Sequence, residues 1–209
     1  MAMALRGENV NKLTVRDRGV AGRRSRALGA EGYSLVEMLV TISIIGILSA
    51  IAYLAFMNVM PTMHADSALQ LLQGQLRQAR ETSVDQRRDI QVTFNGTSEI
   101  VTMLVNLDST TTQLSDYFLP YQMTYTVLPG VGDTPDGFGN GSAVSFNCPS
   151  MPCTITFQSD GSVLDSTGNY VNGTVFIGIL GQTQTARAVT VLGATGRIKG
   201  YHYNGTSWF

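Results

Sequence analysis

Charge is scarce in this chain. Of its 209 residues only 14% are Asp, Glu, Lys or Arg, against about 25% in an ordinary soluble domain. Two cysteines, two histidines and one tryptophan are also in short supply. A zinc centre with the usual four Cys/His ligands would need both cysteines and both histidines together. The formal net charge of -1 excludes a broadly basic nucleic-acid binder, though a local basic patch stays open. Low charge combined with 44% hydrophobic residues excludes disorder throughout, which needs the reverse composition. No Gly-rich phosphate loop is present, and neither His stands in a recognised catalytic spacing to Cys, Ser or carboxylate. The sequence therefore reads as a non-enzyme with no metal and no cofactor.

The charge that exists is segregated. Residues 1–32 carry Arg6, Lys12, Arg16, Arg18, Arg23, Arg24 and Arg26 against Glu8, Asp17 and Glu31, net +4. Residues 33–209 hold seven basic and twelve acidic groups, net -5. The first segment has no apolar periodicity and reads as a basic leader or, taken alone, a basic tail. Then comes MLVTISIIGILSAIAYLAFM, residues 38–57, with no charge at all. A helix of that length covers about 30 Å, the thickness of a bilayer's hydrocarbon core. A buried helix of a soluble protein is the rival, but such helices seldom stay uncharged beside an arginine-rich flank. Basic residues before the span place the N-terminus in the cytoplasm. A secretory signal fits poorly: its apolar region is about 7–15 residues with a small-residue cleavage site, whereas Asn58, Pro61 and His64 follow here.

Glu37 interrupts the apolar run at its start. A carboxylate near hydrocarbon is costly and marks a functional position unless it snorkels to the interface. The string Gly32-Tyr33-Ser34-Leu35-Val36-Glu37, after a basic leader and before an apolar helix, resembles the class III prepilin signal of type IV pilins and type II secretion pseudopilins. The resemblance implies cleavage between Gly32 and Tyr33 by a prepilin peptidase, which also N-methylates Tyr33. The family usually has Phe at the latter position. It also implies that Glu37 faces the N-terminal amine of a neighbouring subunit, where each charge relieves the desolvation cost of the other. Two later stretches narrow the resemblance. Leu76-Arg77-Gln78-Ala79-Arg80-Glu81, leading through Arg87-Arg88 into Ile90-Gln91-Val92-Thr93-Phe94, is similar to the helix-to-strand junction of the GspH/FimT pseudopilin family. Phe157-Gln158-Ser159-Asp160-Gly161-Ser162 resembles that family's F-x-x-D-G segment. The implied protein is a minor subunit of a type II secretion pseudopilus. It would be a single-pass protein of a bacterial inner membrane with a periplasmic head, and its partners would be other pilins or pseudopilins. The alternative is a FimT-type minor pilin of a type IV pilus. Some FimT-like pilins contact DNA through a Gly-Arg-x-Arg motif, and here Gly196-Arg197-Ile198-Lys199 stands in its place. Lys199 lacks the forked geometry of Arg. Alternation puts Arg197 and Lys199 on one strand face, with Tyr201 and Tyr203 expected as aromatic support. An ordinary solvated strand face is the competing reading.

The expected fold is α+β and type IV pilin-like: a leader (1–32), a helix (33–88) and an antiparallel β head (89–209). Ala65, Ala68, Leu69, Leu72, Leu76, Ala79 and Ser83 recur at spacings of three and four, one apolar stripe on a helix. The stripe fits either packing under a head or a short coiled coil. Pro61 should kink the helix, and Gly46 is a second soft point. From Asp89 the period becomes two. Expected strands begin with 90–94 and 100–105, on either side of Asn95-Gly96. Further candidates are 121–128, 143–146, 154–157, 174–180, 186–192 and 198–203. The Gly-rich stretch 129–142 reads as a loop, where Asp133 and Asp136 offer a weak calcium motif. Asn-Gly-Ser/Thr occurs at Asn95, Asn140, Asn172 and Asn204, matching both a glycosylation pattern and tight turns. Cys148 and Cys153 should form a disulfide on the exported side of the membrane. A metal site there would need His64 or His202 as well.

Overall fold

The computed structural model describes residues 32–209. The expected leader, 1–32, therefore lies outside the described residues except for Gly32. Among the described residues one helix, α1 (Leu35–Gln86), precedes nine strands. These are β1 (Ile90–Asn95), β2 (Glu99–Val105), β3 (Thr111–Phe118), β4 (Thr124–Tyr125), β5 (Cys153–Phe157), β6 (Val163–Leu164), β7 (Gly173–Ile179), β8 (Gln182–Leu192) and β9 (Arg197–His202). They build two antiparallel sheets, ordered β3-β2-β1-β5-β6 and β4-β7-β8-β9. The described residues up to Gly46 and residues 47–209 form separate units. In the first, the described residues are the start of α1, with every side chain exposed.

In the second unit the apolar stripe is spent on the chain's own head. Ala65, Ala68, Leu69, Leu72, Leu76, Ala79 and Ser83 are all at most 3% exposed. The apolar members share one core with Ile90, Val92 and Phe94 of β1, Ile155 and Phe157 of β5, and Val189 and Val191 of β8. Each buried Leu contributes roughly 1.5–3 kcal/mol, so the stripe holds the helix without a coiled-coil partner. α1 runs through Pro61 without interruption. It ends in a Schellman arrangement: Arg87 takes φ 52°, and the Arg88 N–H reaches back to the Ser83 carbonyl at 3.1 Å. Glycine is the usual residue there, because it carries no Cβ into the left-handed region.

Three strand expectations need correction. No strand was expected over 111–118, yet β3 pairs with β2 from Glu99↔Phe118 to Val105↔Thr111. As an exposed edge strand it has no buried face to impose alternation. The expected strand at 121–128 shrinks to Thr124–Tyr125, since Pro120 and a tight turn occupy its start. The expected strand at 143–146 is a single bridge, Val144↔Val175. Among the Asn-Gly pairs, Gly96, Gly141 and Gly205 take positive φ as turns require. Gly173 does not; a Cβ there would lie 2.2 Å from the Phe146 ring.

Candidate functional site

The chemistry singled out in the sequence falls at three places. The first is the start of α1. Gly32, Tyr33 and Ser34 precede the helix and are exposed. The Ser34 carbonyl accepts the first helical bond from the Met38 N–H at 3.1 Å. Glu37 sits in the first turn, where the unpaired N–H groups give the helix end a partial positive charge that favours an anion. It is the lone Asp, Glu, Lys or Arg between Tyr33 and Asp66. From Leu35 to Met57 the large apolar side chains are about half exposed or more, and an 18-residue window here has a mean hydropathy of 2.3 with none of it buried. An apolar surface of this extent marks a lipid or protein interface.

The second place is the disulfide. Cys148 and Cys153 are bonded, with Cα atoms 5.5 Å apart. Cys153 opens β5 opposite Phe94 of β1, and Phe146, two residues before the other cysteine, stacks on Phe94 at 5.8 Å. The bond therefore pins the connection before β5 onto the core. A cavity of about 220 Å³ beside it is lined by Tyr125, Val144 and Met151. Burial pushes the Tyr125 hydroxyl above its usual range, with the Glu99 charge adding to it; that hydroxyl donates to the Glu99 carbonyl at 2.9 Å. Nearby Asp165 is buried. The Thr167 hydroxyl, then Asn147 and the Asn169 and Thr167 amides, pull its pKa down to about 2 against the cost of burial.

The third place is β9. Arg197 and Lys199 are both exposed on one face, as alternation requires. The Lys199 Nζ lies 4.3 Å from the Tyr201 ring centroid, but neither expected aromatic residue offers an open face for stacking. Tyr201 and Tyr203 are 2% and 9% exposed, buried with Phe176 and Ala188, and with Leu128 and Ala186, respectively. Trp208 packs against both groups, because the chain's end folds over this face of the sheet. The Lys199 Nζ donates to the Tyr201 Oη at 2.6 Å. Arg197 lies 3.8 Å from the Asp136 carboxylate, which also accepts from the Thr190 hydroxyl at 2.6 Å. Asp133 instead accepts from the amides of Thr134 and Gly139. The two carboxylates of the weak calcium motif thus take separate partners within the protein. Among the described residues no three His, Cys, Asp or Glu side chains converge on a metal position.

The structure also joins residues that sequence spacing kept apart. The two later stretches and the Gly196–Lys199 segment meet around Arg80. A Cβ on Gly196 would stand 2.1 Å from the Gly161 carbonyl and 2.9 Å from Arg80 Cδ, and one on Gly161 would stand 3.2 Å from Arg80 Nε. The two glycines therefore serve close backbone approach at the Gln86 end of α1. Toward its other end, Asp66 receives Arg187 Nε at 2.7 Å and His202 Nδ1 at 3.1 Å. Sequence reasoning missed this cluster. Its one signal was Arg187 standing between Ala186 and Ala188 in an otherwise apolar strand.

Residues 29–53 match the family model described as the prokaryotic N-terminal methylation motif. None of the curated proteins matches the chain. Among solved structures, the type IV minor pilin FimU of Pseudomonas aeruginosa aligns at 18% identity over 64% of this chain and 85% of its own, with a TM-score of 0.45. The minor pseudopilin EpsH from the Type 2 Secretion System of Vibrio cholerae aligns at 14% identity over 66% and 97%, with a TM-score of 0.46. Values this low decide neither fold nor function, which rest on the motif and the elements above. The chain carries the prepilin-type methylation motif at the front of a long helix that an antiparallel β domain follows. That is a type IV pilin-like architecture.

Proposed function

We propose that this chain is a minor pseudopilin. Prepilin peptidase cuts it between Gly32 and Tyr33 and N-methylates Tyr33. Glu37 then meets the new amine of a neighbouring subunit as the pseudopilus of a type II secretion system assembles. Before assembly the protein spans the bacterial inner membrane once, with a periplasmic head and a structural role. One observation carries this reading. The methylation motif coincides with an exposed, membrane-length apolar stretch of α1 whose single carboxylate, Glu37, lies in the first turn of the helix. A buried core helix would not need that exposure, and a plain anchor would not need the carboxylate.

The test is the mature mass in a bacterium that has the peptidase. Wild type should lose residues 1–32 and gain one methyl group, and Gly32→Ala should keep the leader. A wild-type chain of full mass refutes the processing. Crosslinking in the native membrane then separates the machines: pseudopilins as neighbours support the secretion reading, type IV pilus subunits the FimT-type alternative. DNA contact through Arg197 and Lys199 belongs to that alternative, and the buried tyrosines and the Asp136 pairing weigh against it. Salt-sensitive DNA binding by the full chain in detergent, lost in Arg197→Ala plus Lys199→Ala, would revive it.

A further inference from the structure

The head's end nearest Met57 differs in composition from the rest of the protein. Residues 117–132 and 166–186 contain no Asp, Glu, Lys or Arg, and their tips meet there. Pro120 to Met123 form a turn closed by the Met123 N–H on the Pro120 carbonyl at 3.2 Å. Its two central residues, Tyr121 and Gln122, have φ of 58° and 62°. These are the φ values of a type I′ turn, whose central positions favour Asn-Gly because both need the left-handed region. This chain uses Asn-Gly elsewhere, but here it strains two larger residues. The result is a Tyr121 ring 56% exposed and held against His64 at 3.7 Å between centroids. Beside it, Leu180 in the two-residue connection between β7 and β8 is 77% exposed. A cleft of about 370 Å³ runs between these tips and the helix, lined by Met57, Met60, Tyr121, Gln122, Ile179 and Gln182. The Gln182 Oε1 is buried without a hydrogen-bond partner.

This level is also where α1 changes environment. Its large apolar side chains are exposed through Val59 and again at Met63, and the first fully buried residue is Ala65. We infer that Tyr121 and Leu180 form an interfacial anchor that seats the head on the lipid bilayer where α1 leaves it, the inference resting on the membrane-anchored reading above. A tyrosine there is suited to the boundary, its ring among acyl chains and its hydroxyl at the headgroups. These two charge-free loop stretches can approach the interface without desolvating ions of their own. The opposite end of the head carries Arg77, Arg80, Glu81, Arg87, Arg88 and Asp89, the composition of a water-facing surface.

The experiment uses the full chain with Trp208→Phe, so that an introduced tryptophan is the sole one. It is reconstituted sparsely in vesicles of phosphatidylethanolamine and phosphatidylglycerol, three to one by design, with acyl-brominated lipid as quencher. Tyr121→Trp and Leu180→Trp are the two reporters; the exposed Leu180 site keeps the test valid if the strained turn rejects Trp. Tyr53→Trp marks the span, and Leu107→Trp, 95% exposed at the β2–β3 turn, marks the far end. The expected result is quenching at 53, 121 and 180 with none at 107, unchanged on tenfold dilution with lipid. Quenching at 53 alone overturns the anchor and leaves the membrane reading standing. No quenching at any position overturns both. A blue shift at 121 that disappears on dilution assigns the patch to a second copy of the chain and also overturns the anchor.

Discussion

Gly196→Ala should be the most damaging single-methyl change in the head. Two costs add at this position. An Ala held at φ +58° pays about 1 kcal/mol for the left-handed region. Its Cβ would also lie 2.1 Å from the Gly161 carbonyl, more than 1 Å inside ordinary contact. That obstacle is backbone, so it cannot swing aside as a side-chain tip would. The loop at Gly161 and the turn at Gly196 would have to separate at the Gln86 end of α1, a backbone shift of the kind that costs about 1–3 kcal/mol. The sum is about 3 kcal/mol. Gly205→Ala supplies the control, because Gly205 has φ +96° with open space around it and should lose only the first part. Urea unfolding of both variants in detergent, followed by circular dichroism, reads the difference at constant m. A midpoint for Gly196→Ala within about 0.5 kcal/mol of that for Gly205→Ala would refute the close-packed junction, at the usual limit for separable sites.

Three further outcomes follow from the same geometry. Asp66→Ala should cost about 2 kcal/mol, less than a fully buried pair, because the Asp66 side chain is 42% exposed while that of Arg187 is 6% exposed. Adding Arg187→Met should recover part of that loss, and a double-mutant cycle by thermal unfolding checks the coupling. Asp165 has a folded pKa of about 2 against an ordinary 3.8, so its contribution is full above about pH 4 and is lost as pH falls through 2. The size is at most about 2–3 kcal/mol before solvent screening. In Asp165→Asn that acid limb of the stability curve should flatten; an unchanged limb assigns acid sensitivity to other carboxylates. Cys148→Ala with Cys153→Ala should lower stability by about 2 kcal/mol, or about 4–8 °C in Tm, with the fold retained by circular dichroism.

Much of this was legible because burial leaves a period in the sequence. Every member of the 65–83 stripe is buried, and Ile90, Val92 and Phe94 all face the core. The strand β3 was illegible for the same reason: its residues are exposed on both faces, so nothing constrains them to alternate. Strand order was also out of reach, since β5 lies beside β1 across a sequence gap that pattern cannot bridge. At the candidate site, Glu37 was readable as a lone charge in an apolar run. The roles of Gly161 and Gly196 were not readable. As isolated triplets they suggested motifs, and only the backbone approach around Arg80 shows what the missing Cβ atoms permit. Tyr201 and Tyr203 were placed on the correct face, but the cover supplied by Trp208 and the 127–136 loop is a tertiary fact.

The pairing of Asp66 with Arg187 and His202 has a consequence for how the molecule is made. These partners lie 121 and 136 residues further along the chain. The helix is synthesised first, and the strands that cover its stripe come last. Closing loops of that length carries an entropy that local contacts cannot offset in advance, so folding of the head waits for the arrival of β9. Until then the core around Leu69, Leu72 and Leu76 is incomplete, lacking Ile198 of β9, and the nascent chain is at its most prone to aggregate. A ribosome stalled before residue 197 would hold a stretch that is sticky and incompletely folded.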